Sequence, residues 1–229
     1  MKPEQWWKTG GLCGVLFIVL FIVGFVMQGG GPSPDDSPAE IKQWFLDNDS
    51  KYMIGDIIFA IAFVFFFLPY VGMLSTFLAR KETDGAGWPR VVQGYGTAML
   101  AVGAATAGIQ GALAYDAANF ADDGLLKFAV DVTYYVNNLA FSMIAAGMAF
   151  TIAIGILRTG VFAKWLGFLG LAVAVLSVIG SFTVFSDDPM GALGGIGLLA
   201  LLGFAFFNLA MSFFMWTAAD IAVAESAAV

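Results

Sequence analysis

The chain has 229 residues, of which 60% are hydrophobic and 12% charged, and its formal net charge is −7. Because a soluble domain carries about a quarter charged residues, this composition excludes an ordinary soluble protein and predicts an integral membrane protein. The sequence contains no basic stripe, so no nucleic-acid partner is predicted.

Uncharged stretches that are long enough to cross a bilayer recur along the chain. About 20 apolar residues cross the hydrocarbon layer as a helix, and the stretches lack the alternating pattern of a membrane barrel. The predicted helices lie near residues 11–28, 57–79, 91–114, 136–157, 165–185 and 192–218. The predicted fold class is therefore all-α, a six-helix transmembrane bundle that forms a single domain over residues 1–229.

Lysine and arginine are distributed unequally between the two ends of the predicted helices. Segments 1–10, 80–90, 158–164 and the tail from residue 219 hold seven basic and five acidic residues, whereas the alternate loops and helix ends hold three and twelve. Basic loops remain in the cytoplasm, so both termini are predicted to be cytoplasmic, in a bacterial plasma membrane. The acidic outer face is suited to attract cations or a basic partner.

Predicted helix 1 follows Lys2 and Lys8, as the apolar segment of a signal peptide would. Its apolar run is longer than that of a signal peptide and has no small-residue cleavage site, so we expect the helix to be retained. Gly10 and Gly14 open it with the GxxxG spacing that lets two helix backbones approach closely.

The first outer loop contains Ser37-Pro38-Ala39-Glu40, a capping box with proline at the first helical position. It predicts a short helix over residues 38–47. Ile41, Trp44 and Phe45 lie on one face of that helix, which favours an amphipathic helix on the membrane surface or over the bundle.

Predicted helices 2, 3 and 6 contain residues that affect helix shape and packing. Pro69 removes a backbone hydrogen bond in the middle of helix 2, and it is a candidate hinge. Gly103 and Gly108 lie in helix 3, and Gly191 and Gly195 open helix 6. Packing inside the bundle explains these glycines, and an exposed face that docks another subunit explains them equally well.

The polar stretch VDVTYYVNNLAFS, residues 130–142, leads into predicted helix 4. At 1.5 Å per residue from Arg158, the hydrocarbon layer of about 30 Å ends near Asn138, so most of the stretch lies outside the lipid. With the start of helix 2, it predicts a polar pocket at the outer mouth that holds a cation, an amine or a polar headgroup. Its members are Asp56, Asp131, Tyr134, Tyr135, Asn137 and Asn138. The alternative is that these side chains are interfacial anchors and interhelical hydrogen-bond partners.

Catalytic and metal-binding residue types are scarce. The chain has no histidine and one cysteine, Cys13, which excludes histidine-ligated metals, His-dependent triads and an intrachain disulfide. The carboxylate-rich loops 116–124 and 186–189 lack the spacing of an EF-hand. No cofactor and no metal site are predicted. Asn208 and Gln110 are the deepest uncharged polar residues, and we expect them to face the bundle.

The junction ILRTGVFAKWLGFLGLAVAVLSVIGSF, residues 156–182, combines a basic residue, a glycine-containing turn and a Lys-Trp pair that leads into a Leu-Gly-rich helix. It resembles the corresponding junction of bacterial six-helix membrane proteins of the domain-of-unknown-function 4386 type. The resemblance covers this junction and the six-helix layout. It implies a fold and a membrane location, and no catalytic residue.

Three hypotheses about function follow. The first is a non-enzymatic membrane protein that binds or scaffolds, an accessory subunit of a larger complex, in contact with membrane lipids and with other subunits through its glycine-rich faces. The second is a small transporter or lipid-handling protein that binds at the acidic outer mouth. The third is an intramembrane enzyme with Asp131 and Tyr134 or Tyr135 as acid and base, which needs a second carboxylate nearby.

Overall fold

A computed structural model describes the backbone of residues 3–82, 85, 87–116, 122–186 and 191–227, and the side chains of these residues between 6 and 218. Within these ranges the chain is helical and contains no strand, and six helices are long and apolar enough to cross a membrane. They are α1 (Pro3–Gln28), α2 (Pro38–Ala79), α3 (Trp88–Asp116), α4 (Asp123–Thr159), α5 (Lys164–Phe185) and α6 (Ala192–Ala227). The predicted six-helix membrane architecture is confirmed.

Helix α2 begins at the predicted capping box, in which the Ser37 side chain accepts from the Glu40 N–H and the Glu40 carboxylate accepts from the Ser37 N–H. The prediction of a separate short helix over 38–47 is wrong, because the helix continues without a break to Ala79. No glycine or proline stands between Ala39 and Ile54 to end it. At 1.5 Å per residue, α2 is about 63 Å long, twice the thickness of the hydrocarbon layer.

Helix α4 is also longer than a bilayer crossing requires. It begins at Asp123, where the Asp122 carboxylate caps it by accepting from the N–H groups of Gly124 and Leu125, and it ends at Thr159. Its length is about 56 Å. The predicted start near residue 136 corresponds to a π-helical turn, Val136–Phe141, within this longer helix.

The extra lengths of α2 and α4 pack with the end of α3 into a small helical unit, which we call the head and define as residues 37–56, 111–116 and 122–135. Trp44 and Phe45 each place a ring perpendicular to that of Tyr52, with centroids 5.3 and 5.6 Å away. The head has an apolar core of its own, formed by Ile41, Phe45, Tyr52, Leu113, Ala114, Leu126 and Val130.

The membrane bundle has a separate and larger core, rich in phenylalanine. The Phe17 ring packs against Phe67 at 4.7 Å and against Phe63 at 5.2 Å. At the end of the bundle opposite the head, the Arg80 guanidinium lies 3.8 Å from the Trp7 ring centroid, a cation–π contact. We call this end the terminal side, because α1 begins there and α6 runs toward it.

Pro69 lies two residues after the end of a π-helical turn, Ala62–Phe67. The Leu68 N–H donates to the Phe63 carbonyl, five residues back, before the proline withholds its own N–H. Proline and π-turns are both recognised causes of helix bending, and π-turns occur often at functional sites. The proposed hinge therefore coincides with an irregular turn, and movement about Pro69 stays a prediction.

Because α2 is about twice as long as a bilayer crossing, we predict that the head lies outside the lipid and that two exposed positions of α2 differ in their access to water. In a Cys13→Ala background, we expect the Lys51→Cys variant in liposomes to react with a water-soluble maleimide at least about tenfold faster than the Phe65→Cys variant, since thiolate is disfavoured in hydrocarbon. Phe65 is 65% exposed in the isolated bundle, so access to protein surface alone does not explain a slow reaction. Equal rates would place the head inside the membrane.

Candidate functional site

The six residues of the predicted outer pocket fall into two separate groups. Asp56 lies on α2 and is buried, whereas Asp131, Tyr134, Asn137 and Asn138 on α4 are half-buried and Tyr135 is exposed. Within the described part of the chain, no hydrogen bond or ion pair joins Asp56 to the α4 group.

The α4 group makes mainly local contacts. Asp131 forms an ion pair with Lys127, one turn earlier, at 3.4 Å. The Asn138 amide donates to the Tyr134 carbonyl at 3.0 Å, and the rings of Tyr134 and Tyr135 meet edge to face. The partner of Asp131 is a lysine and not the second carboxylate that the acid–base hypothesis requires. These local contacts favour the interpretation that the α4 group is part of the surface of the head and not an acid–base site.

Asp56 has a different environment, at the base of the head between α1 and α3. Its side chain is only 7% exposed. One carboxylate oxygen, Oδ1, accepts a hydrogen bond from the Gln28 amide at 2.5 Å. The other, Oδ2, is buried and has no hydrogen-bond partner among the described residues, and it lies 3.8 Å from where a Cβ on Gly111 would stand.

A close crossing of α1 and α2 brings Gln28 to Asp56. A Cβ on Gly55 would lie 2.7 Å from the Gln28 side chain and 3.0 Å from the Gly24 carbonyl oxygen, so the two backbones approach closely because both positions are glycine. Sequence reasoning found Asp56 but missed Gln28, Gly24 and Gly55. Isolated glycines in two helices give no pairing signal, because nothing in the spacing shows that they meet.

The glycines predicted to pack helices or dock a partner also divide into two sets. A Cβ on Gly10 would lie 2.8 Å from Met73 and Met215, and a Cβ on Gly14 would overlap the Ser212 hydroxyl, so both glycines pack inside the bundle. Gly103, Gly108 and Gly195 have nothing within 4 Å of that position. The Gly191 carbonyl accepts from the Gly195 N–H at 3.0 Å, at the start of α6.

Helix α3 presents an exposed strip of small residues, which we call the α3 face. The spacing Ala104-x-x-x-Gly108-x-x-x-Ala112 puts these three residues on successive turns. Of the six membrane helices, α3 has the smallest buried share. The strip consists of Gly94, Thr97, Ala101, Ala104, Ala105, Gly108 and Ala112, all exposed.

The middle of the bundle contains a buried polar cluster around Asn208. Asn208 is fully buried, as expected of a residue that faces the bundle, but its amide donates to the Phe204 carbonyl of its own helix. The contact between helices comes from Tyr70, whose hydroxyl donates to the Asn208 carbonyl at 3.4 Å. Ser212 donates to the same carbonyl at 2.8 Å. The cluster joins α2 to α6.

Two of the cavities in the described bundle each have a volume of about 10 Å³. This is about the volume that holds one water molecule. One lies near Trp88 and Thr151 and the other near Phe21 and Phe141, and Asp56, Gln110 and Asn208 line neither. Neither of these two cavities supports a transport route from the head past Gln110 or Asn208.

Among the described residues, no group of three or more histidine, cysteine, aspartate or glutamate side chains is placed to hold a metal ion. Residues 117–121 and 187–190, which include most of the two carboxylate-rich loops, lie outside the described residues. Buried side-chain atoms without a hydrogen-bond partner also occur at Trp88, Asp131, Tyr134 and Asn208. Among these residues, Asp56 is the carboxylate that is only 7% exposed and has no ion-pair partner in the described structure.

Together, the fold and these sites define a multi-pass membrane protein with a small helical head at one end of the bundle. No family model, curated protein or solved structure matches the chain. The resemblance at the junction of residues 156–182 therefore stays a prediction.

Proposed function

We propose that this protein is a non-enzymatic membrane protein that binds another membrane protein and acts as an accessory subunit of a larger complex, with the α3 face as its docking surface. The proposal rests on a difference in surroundings between the glycines of α1 and those of α3. Gly10 and Gly14 are packed by side chains of their own bundle, whereas Gly94 and Gly108 of the α3 face have open space above them.

The open space has a physical consequence in a bilayer. Helices do not associate there by the hydrophobic effect, because lipid tails are as apolar as the side chains, so association depends on close packing of small residues. A strip of glycine, alanine and threonine over five turns allows a second helix to approach the α3 backbone. Many other exposed positions of the membrane helices carry large side chains, such as Phe206 and Phe213 on α6.

Site-specific photocrosslinking in cells tests this proposal. A photoreactive amino acid at Ala104 or Gly108 should give one discrete cross-linked protein product, and the same amino acid at Phe206 or Val175, which are equally lipid-facing, should give none. Because the four positions share the same membrane environment, a difference reports the partner and not lipid exposure. Cross-linking that is diffuse or equal at all four positions would rule out the α3 face as a docking surface.

We further infer that the protein lies in a bacterial plasma membrane with both termini in the cytoplasm, which places the head outside. The support is the excess of basic residues on the terminal side. In intact cells without Cys13, a membrane-impermeant maleimide should label the Lys51→Cys variant and leave the Lys81→Cys variant unlabelled until the cells are opened. The reverse pattern would invert the topology.

A further inference from the structure

We propose that Asp56 and the C-terminal end of α1 together bind one monovalent inorganic cation of the Na⁺ or K⁺ class. This site is separate from the α3 face, and it does not depend on the function proposed above. It consists of the unpartnered Oδ2 of Asp56, the side chain of Gln28 and the backbone carbonyls at the end of α1.

The first argument is that two sources of negative charge meet at this point. Helix α1 ends at Gln28, and a helix C-terminus carries the equivalent of about half a negative charge on its free carbonyl groups. The Gln28 side chain bonds the Asp56 carboxylate, so the acid sits beside that end. Carbonyl groups at the ends of interrupted membrane helices are recurrent ligands of monovalent cations.

Three glycines carry the chain away from the end of α1. Gly29, Gly30 and Gly31 all have positive φ angles, of 65°, 93° and 74°, which only glycine adopts readily. The Gly29 N–H donates to the Phe25 carbonyl at 3.3 Å. The carbonyls of residues 26–28 belong to the last turn of α1, whose carbonyl groups have no partner within the helix itself.

The second argument is that no described basic side chain compensates Asp56. Its polar contact in the described structure is the Gln28 amide, which is uncharged. Lys127 of the head is engaged by Asp131, and Lys51, five residues before Asp56, is exposed. An ionised carboxylate that is buried without an opposite charge is strongly disfavoured, so a bound cation would stabilise this arrangement.

The size and charge of the site select the class of ligand. One carboxylate balances one positive charge, whereas Ca²⁺ sites use six to eight oxygen ligands, several of them from carboxylates. Oδ2 lies 3.8 Å from where a Cβ on Gly111 would stand, so the missing side chain leaves room for a small ion beside the carboxylate. The Gln28 amide group can also turn and present its oxygen to a cation.

Thermal unfolding of the purified protein in nanodiscs tests the site. At equal ionic strength, we expect the melting temperature of the wild-type protein to be about 4 °C higher in NaCl or KCl than in N-methyl-D-glucamine chloride, since a ligand that binds only the folded state stabilises it. The Asp56→Asn variant should lose this difference. The matched Asp131→Asn variant, which alters an acid that is already paired with Lys127, should keep it.

If the Asp56→Asn variant fails to fold, direct binding of radioactive Na⁺, with K⁺ as competitor, tests the proposed cation site. The wild-type protein should bind about one ion, and the Gln28→Leu variant should bind it at least about tenfold more weakly. The proposal is overturned if wild-type protein shows neither saturable binding nor a cation-dependent melting temperature, or if Asp56→Asn keeps the melting difference. A melting temperature that responds to pH but not to these cations would mean that a proton neutralises Asp56, which also overturns it.

Discussion

Replacing Gly14 by valine should destabilise the folded bundle by about 3 kcal/mol, at the upper end of what overpacked cores show. A Cβ at this position would lie 2.8 Å from two carbon atoms of the Tyr70 ring and would overlap the Ser212 hydroxyl. Tyr70 is fully buried and its hydroxyl bonds the Asn208 carbonyl, so the ring cannot move aside without breaking that bond. Reversible unfolding in mixed micelles measures the change.

The matched control is Gly108→Val on α3. Nothing lies within 4 Å of a Cβ at Gly108, so we expect a change within about 0.5 kcal/mol, as for other exposed substitutions. The same variant should weaken binding to a partner if the α3 face docks one. Equal destabilisation by the two substitutions would show that α3 packs within its own bundle and would remove the basis of the proposed function.

The two glycines also show how far the sequence alone could be interpreted. The number of membrane helices follows from apolar length, a local property of the chain. Whether a glycine faces a neighbour depends on the rotation of each helix about its axis. Gly14 and Gly108 are both glycines within apolar helices, and they have opposite surroundings in the bundle.

The sequence predicted only part of the candidate site, again because it does not determine how each helix is rotated about its axis. The position of Asp56 near the outer end of a helix follows from counting residues, and the sequence groups it with Asp131 because both acids lie at similar depth. Depth does not determine which way a side chain faces. Asp56 turns toward Gln28 of α1, while Asp131 pairs with Lys127 of its own helix.

The head was missed because the sequence was divided at charged residues. Acidic and basic residues between 38 and 56 mark the end of the lipid-embedded part, but they do not end a helix, because aspartate, lysine and asparagine are all tolerated in helix interiors at a cost below about 0.7 kcal/mol each. The helix starts at Pro38, after a segment that contains glycine and proline. A membrane boundary and a helix boundary are thus different features of α2.

Replacing Phe45 of the head by alanine should cost about 3 to 5 kcal/mol, whereas Phe67→Ala in the bundle should cost less than about 2 kcal/mol. Both rings are almost fully buried, so the difference comes from the surrounding solvent. Unfolding the head transfers the ring to water, and the full hydrophobic term is lost with the ring. A ring freed in the bundle would meet lipid, so mainly packing contacts are lost there.

Hydrogen exchange of the backbone amides in nanodiscs distinguishes these two losses. Each 1.4 kcal/mol changes the equilibrium constant for opening of the head tenfold. Phe45→Ala should therefore speed exchange at amides 41–52 by about a hundredfold or more. The amides of α6 should keep their wild-type rates. Phe67→Ala should leave the head amides unchanged. If Phe45→Ala costs less than Phe67→Ala, Phe45 would have to lie in an apolar environment even when the head opens, and the head would belong to the membrane bundle.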